Sequence, residues 1–112
     1  AGTSIACSVV PVCASVVVIG ELLAGFRGGS RPQENKELLQ RFLERPTVTT
    51  LDVTGETAEF FAEVKHRLRQ AGTPLPINDV WLAAQAMEAG AVLISYDRHF
   101  RAVAGLRVWP GP

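Results

Sequence analysis

Hydrophobic and polar positions alternate along this chain in short blocks whose period changes from block to block. Residues 5–19, IACSVVPVCASVVVI, are uncharged and mostly apolar. Within them CASVVVI (13–19) is continuous, β-branched and apolar, which predicts a strand covered on both faces. GELLAGFR then takes on helical character, and GGSRP (28–32) breaks it. Ser30 and Pro32 suit the start of the next helix. In PQENKELLQRFLERP, Leu38, Leu39, Phe42 and Leu43 fall on one helical stripe, and Glu37 and Arg41 stand four apart on the polar side. TVTTLDV (47–53) reads as a short strand. GETAEFFAEVKHRLRQAG (55–72) reads as a helix with Phe61, Val64 and Leu68 on one face and Gly72 as its C-terminal cap. TPLPI is a loop, because each proline restricts its neighbour as well as itself. Asn78 is the expected N-cap of a further helix, with Val80, Ala83, Ala84 and Met87 as the buried stripe and Gly90 as the stop. AVLIS (91–95) and LRVW (106–109) read as short strands. Strands and helices in alternation, with apolar strands, predict an α/β fold on a largely parallel sheet. Functional groups in such sheets gather at the carboxyl ends of the strands.

Composition narrows the picture. At 112 residues, 47% hydrophobic and 20% charged, the chain is expected to fold as one domain with one core. Its formal net charge is zero, which lends no support to a generic polyanion binder. The apolar stretch 5–19 is too short for a membrane span and lacks a Lys/Arg-rich leader, so no membrane association is expected. Cys7 and Cys13 could pair, but nothing else suggests a disulfide scaffold. They read as reduced thiols in a cytoplasmic protein.

Three acids carry the candidate chemistry. Glu21 follows the strand expected to end at Ile19, Asp97 follows the strand expected to end at Ser95, and Asp79 opens a helix. All three are therefore expected near one edge of the sheet. Carboxylates brought together repel one another, and a cation relieves the repulsion. An all-oxygen set completed by water suits Mg²⁺ or Mn²⁺. Taken singly, each acid is equally explained as a helix-start residue favoured by free N–H groups and the helix dipole. His66 lies in the charged stretch KHRLR and reads as solvated. His99, with no metal-ligand spacing, reads as a loop residue. No phosphate-binding loop, dinucleotide fingerprint or nucleophile elbow is present.

The same residues resemble the PIN-domain family, in particular the VapC-type ribonuclease toxins of bacterial toxin–antitoxin pairs. SVVVIGELLAGF is similar to the family's second strand and its glutamate helix. GTPLPINDVWLAAQAMEAGAVLISYDRHF is similar to its third and fourth motifs, and GLRVW to its closing strand. The resemblance covers about residues 14–109. It implies a three-layer PIN-like fold with a largely parallel central sheet. It implies Glu21, Asp79 and Asp97 as metal-binding catalytic acids, supported by Asn78 and Ser95. It also implies a Mg²⁺-dependent (or Mn²⁺-dependent) endoribonuclease, in which the metal lowers the pKa of a bound water and stabilises charge at phosphorus. RNA as substrate and an antitoxin protein as partner follow from the same resemblance. Arg27, Arg31, Arg98 and Arg101 are candidates for phosphate contacts, although Arg on a solvated face is the commoner case.

The pattern departs from the family at the start. Family members open with a strand bearing a catalytic Asp, yet none of the 20 residues before Glu21 is Asp or Glu. The resemblance then implies an N-terminally truncated version lacking the first strand and its acid. Residues 1–13 are atypical and expected to form a hairpin about Pro11. Loss of a mid-sheet strand leaves an edge to be covered, by the N-terminal segment or by that of a second copy, so a homodimer is expected. Weak or absent nuclease activity follows from the missing acid. The rival expectation is a non-catalytic, degenerate PIN protein that dimerises or binds an antitoxin. An α/β binding module whose acids are only caps is the reading that assumes no resemblance.

Overall fold

The structure, a computed structural model, describes residues 12–95 and 97–109. The hairpin expected about Pro11, and Cys7 with it, lie outside the described residues. The elements run β1 (Val12–Ser15), α1 (Val16–Arg27), α2 (Pro32–Leu43), β2 (Val48–Leu51), α3 (Gly55–Ala71), α4 (Ile77–Ala89), β3 (Leu93–Ile94), a 3₁₀ turn (Arg98–Ala102) and β4 (Val108–Trp109). Contacts divide the chain into two units, one through Asp52 and one from Val53 onward.

In the first unit β1 pairs with β2 in parallel, in the register Val12↔Val48 to Ser15↔Leu51. The chain between them supplies α1 and α2, the helical crossover that a parallel pair requires. The expected strand over 13–19 is corrected here. The strand ends at Ser15, and Val16 to Ile19 form the first turn of α1. Ser15 explains the switch. Its backbone is extended (φ −73°, ψ 135°), and its hydroxyl accepts a hydrogen bond from the Val17 N–H at 3.0 Å. Such a cap is worth about 1 kcal/mol, enough to offset the few tenths of a kcal/mol by which each β-branched residue disfavours a helix. Val16, Ile19, Leu23 and Phe26 then form a half-buried stripe at helical spacing. Pro32 is the first residue of α2, with Arg31 rather than Ser30 at the cap position. On α2, Leu39 and Leu43 are half-buried while Leu38 and Phe42, expected on the same stripe, are exposed. Glu37 accepts a hydrogen bond from Gln33 at 3.3 Å.

The second unit holds the core. Val64, Leu68, Val80, Ala83 and Val103 form one buried cluster, with Phe61, Leu75, Met87 and Leu106 packed against it. Helix α3 begins at a capping box. The Thr54 hydroxyl accepts from the Thr57 N–H and the Thr57 hydroxyl accepts from the Thr54 N–H. Thr57 is fully buried, and its Oγ1 donates to Glu88 Oε1 on α4 at 2.6 Å. Phe61 of α3 stacks on Trp81 of α4, ring centroids 4.0 Å apart. Both helices end as the sequence predicts, at Gly72 (φ +71°) and Gly90 (φ +64°) in the left-handed region. Strands β3 and β4 pair in parallel, Leu93↔Val108 and Ile94↔Trp109. Both are shorter than AVLIS and LRVW predict, although the Ser95 N–H still reaches the Trp109 carbonyl at 3.1 Å.

Each unit thus carries a two-stranded parallel sheet. No described helix is long and apolar enough to cross a membrane.

Candidate functional site

One part of the site is the turn that follows β3. Asp97 stands three residues beyond Ile94, the last residue of the strand, and caps the 3₁₀ turn. The Asp97 N–H donates to Ser95 Oγ at 3.1 Å. Asp97 Oδ1 accepts from the His99 N–H at 2.9 Å and also meets His99 Nδ1 at 2.8 Å. Both contacts fall on Oδ1, which leaves Oδ2 without a partner among the described residues. One residue past Asp97's cap bond, Phe100 is 4% exposed and pins the turn to the interior. The acid is therefore held between a strand end and a buried aromatic, while its own side chain stays 44% exposed.

Asp79 sits in the first turn of α4 and is half-buried. The cap of α4 is Pro76 (φ −54°, ψ 148°), not Asn78 as the sequence suggests. Proline fixes φ near the value a helix entry needs, and its carbonyl accepts the first bonds, from the Asp79 N–H at 3.0 Å and the Val80 N–H at 3.1 Å. Asn78 becomes the second helical residue and is exposed. Asp79 remains where free N–H groups and the helix dipole favour a carboxylate. Glu21 is exposed in α1, six residues past the end of β1 rather than two as the sequence pattern implies.

Of the cations singled out, Arg27 closes α1 and Arg31 caps α2, where it pairs with Glu34 at 3.6 Å with both side chains exposed. Arg98 and Arg101 are exposed on the 3₁₀ turn beside Asp97. Lys65 and Arg69 were not evident as candidates. With Leu68, Pro74, Leu75 and Val80 they line a cleft of about 200 Å³. Their spacing of four on α3 was legible, but which helix face meets the TPLPI loop was not. His99 lies in the turn, as the sequence suggests, and its N–H bonds Asp97 two residues back, the spacing of a side chain that bonds the backbone of a turn.

By donor chemistry Glu21, Asp79 and Asp97 suit a hard dication, since all are carboxylate oxygens and Oδ2 of Asp97 is uncommitted. Among the described residues no group of three or more His, Cys, Asp or Glu side chains could hold a metal ion. Mg²⁺ is commonly bound through one or two carboxylates, with water and substrate phosphate completing the shell, so the uncommitted oxygen of Asp97 fits that mode of binding.

Comparison with known proteins identifies the family. The PIN domain family model matches residues 6–106. Ribonuclease VapC2 of Haemophilus influenzae is 32% identical over 97 residues, covering 86% of this chain and 72% of that protein. Ribonuclease VapC4 of Mycobacterium tuberculosis is 30% identical over 94 residues, covering 84% of this chain and 72% of that protein. Among solved structures, that of VapBC2 from Rickettsia felis bound to a DNA fragment from their promoter superposes with a TM-score of 0.80. It is 22% identical and covers 88% of this chain and 74% of that one. A family match over nearly the whole chain, with the capped aspartate at the end of β3 and a second acid opening α4, leads to one conclusion: the chain belongs to the PIN-domain family.

Proposed function

We propose that this protein is the toxin of a VapC-type toxin–antitoxin pair and a Mg²⁺- or Mn²⁺-dependent endoribonuclease. The observation that carries the reading is Asp97, at the cap of the turn after β3, with one carboxylate oxygen bonded to the turn and the other without a partner among the described residues. Relatives named as VapC ribonucleases supply the activity class. In this reading Asp79 and Asp97 bind the dication, with Ser95 and Asn78 in support, and Glu21 is proposed as a further acid that the activity needs. The bound metal supplies Lewis acidity for hydrolysis of a phosphodiester. The carboxylates bind and orient; they do not attack phosphorus. Arg98 and Arg101, exposed beside Asp97, are proposed to meet RNA phosphates, and Arg27 and Arg31 are proposed as further contacts. The cognate antitoxin is the protein partner, the chain works as one domain and a homodimer, and the location is cytoplasmic.

A second reading is a PIN protein that pairs with an antitoxin without cutting RNA. It is favoured by one feature: among the described residues no group of three or more His, Cys, Asp or Glu side chains could hold a metal ion.

The test is cleavage of a fluorogenic RNA in Mg²⁺ and in Mn²⁺, with Asp97→Asn as control. Metal-dependent cleavage abolished by the substitution supports the nuclease. Metal-independent cleavage that survives the substitution overturns it. No cleavage, with antitoxin binding retained, selects the second reading. Sedimentation at micromolar concentration tests the homodimer.

A further inference from the structure

The cations of α3 are not alike. Arg67 pairs with Glu63 at 2.6 Å. Lys65 and Arg69 have no acidic partner among the described residues. Together with Leu68, Pro74, Leu75 and Val80 they line the cleft of about 200 Å³. On one helix face, four positions apart, their Cβ atoms stand ~5–6 Å from each other and their like charges repel. Lys65 Nζ lies 5.8 Å from the centroid of the Phe61 ring, which orients an ammonium without cancelling its charge. Two uncompensated cations on one cleft favour an anion there. The geometry points to this cleft as a contact site for the RNA backbone, with Lys65 and Arg69 meeting phosphates, an inference that rests on RNA being the substrate. Position and lining select that anion. Val80 brings the cleft to the first turn of α4, where Asp79 precedes it. Apart from the two cations the lining is aliphatic, with no aromatic face for a base to stack on and no amide or hydroxyl side chain to read a base edge. Ribose can lie against the aliphatic wall while phosphate meets the cations. Contacts of this kind position a strand without reading its sequence.

The experiment is fluorescence anisotropy with labelled single-stranded oligo(A) and oligo(U) RNA on the full chain. EDTA is present so that no cleavage intervenes, and salt is varied from about 50 to 200 mM. Wild type is compared with Lys65→Gln, Arg69→Gln, the double variant and Arg67→Gln. We expect the double variant to weaken binding of both RNAs alike, about tenfold at the lowest salt, because two charge-assisted contacts are lost. The slope of log K against log salt should fall in magnitude by about 0.7 for each single variant and about 1.4 for the double variant. Arg67→Gln should bind like wild type, since Glu63 already answers its charge. Thermal midpoints of all variants should match wild type, because none of these side chains is buried. If wild type binds RNA and the double variant binds equally well with an unchanged slope, this inference is overturned and the RNA reading stands. If Arg67→Gln loses as much as Lys65→Gln or Arg69→Gln, the effect is one of overall charge and the cleft is overturned as its source. If the loss is confined to one of the two RNAs, the site reads bases and the backbone assignment is overturned. If the double variant keeps RNA binding but loses labelled poly-glutamate, the cleft docks an acidic protein and the inference is overturned. If wild type binds neither RNA, the inference is overturned, and the cleavage assay above decides the RNA reading separately.

Discussion

The two units handle apolar side chains differently. Every described hydrophobic residue buried to core level belongs to the second unit, from Val64 to Val103. The first unit contains α1, whose only charged side chains are Glu21 and Arg27, yet neither α1 nor α2 has a buried residue. Val18, Leu22, Leu38 and Phe42 are all more than a third exposed. Apolar content and burial are thus separate properties. Helices α3 and α4 bury their apolar stripes because each presents it to the other, with small Ala83 and Ala84 allowing close approach. The α1 stripe stays half-buried, and Val18 and Leu22 beside it are exposed. The acids follow the same division, since Asp97 is pinned by a buried phenylalanine while Glu21 rides on a helix without a buried residue.

The largest expected effect that tests this contrast is Leu68→Ala. Leu68 is 3% exposed in the cluster, and truncation should cost about 2–5 kcal/mol by urea unfolding. A loss below about 1 kcal/mol would show that the second unit's core is less tightly packed than its burial indicates. Next comes Thr57→Val, which preserves shape but removes the hydroxyl that joins Thr54 to Glu88. A loss of about 1–3 kcal/mol is expected from the partners left without it. Gly72→Ala forces a Cβ onto φ +71° in open space, so strain alone acts, and about 1 kcal/mol should be lost. The smallest effect belongs to the first unit. Leu38, 59% exposed, should tolerate Leu38→Ala within about 0.5 kcal/mol. A loss as large as that of Leu68→Ala would erase the contrast, because it would reveal a covered surface where the structure shows an open one.

The sequence was most legible where one local interaction dominates. Gly72 and Gly90 were readable as stops because only glycine enters the left-handed region without penalty. The stripe Phe61, Val64, Leu68 was readable from a period of 3.6 residues. The parallel arrangement followed from apolar strands separated by helices. Legibility failed where two local preferences compete. VVVI favours a strand by composition, yet Ser15 caps a helix there. Asn78 is a good cap by type, yet Pro76 already provides the geometry. For the site, Asp97 and Asp79 were identifiable by residue type and by nearness to element ends. Glu21 was identifiable by type, but its place six residues into helical chain was not.

By itself the sequence determined the order of elements, the helix stops, the core face of α3 and α4, and the carboxylates available as hard oxygen donors. These depend on the chemistry of neighbours within a turn or two of chain. Only the tertiary structure decided that Phe100 anchors the turn after β3, that Thr57 reaches Glu88 thirty-one residues away, and that Lys65 and Arg69 meet the Pro74–Leu75 loop. It also decided that the His99 N–H and the His99 ring both lie against one oxygen of Asp97. Such relations are set by side-chain direction and by contacts distant in sequence, and spacing along a chain does not encode them.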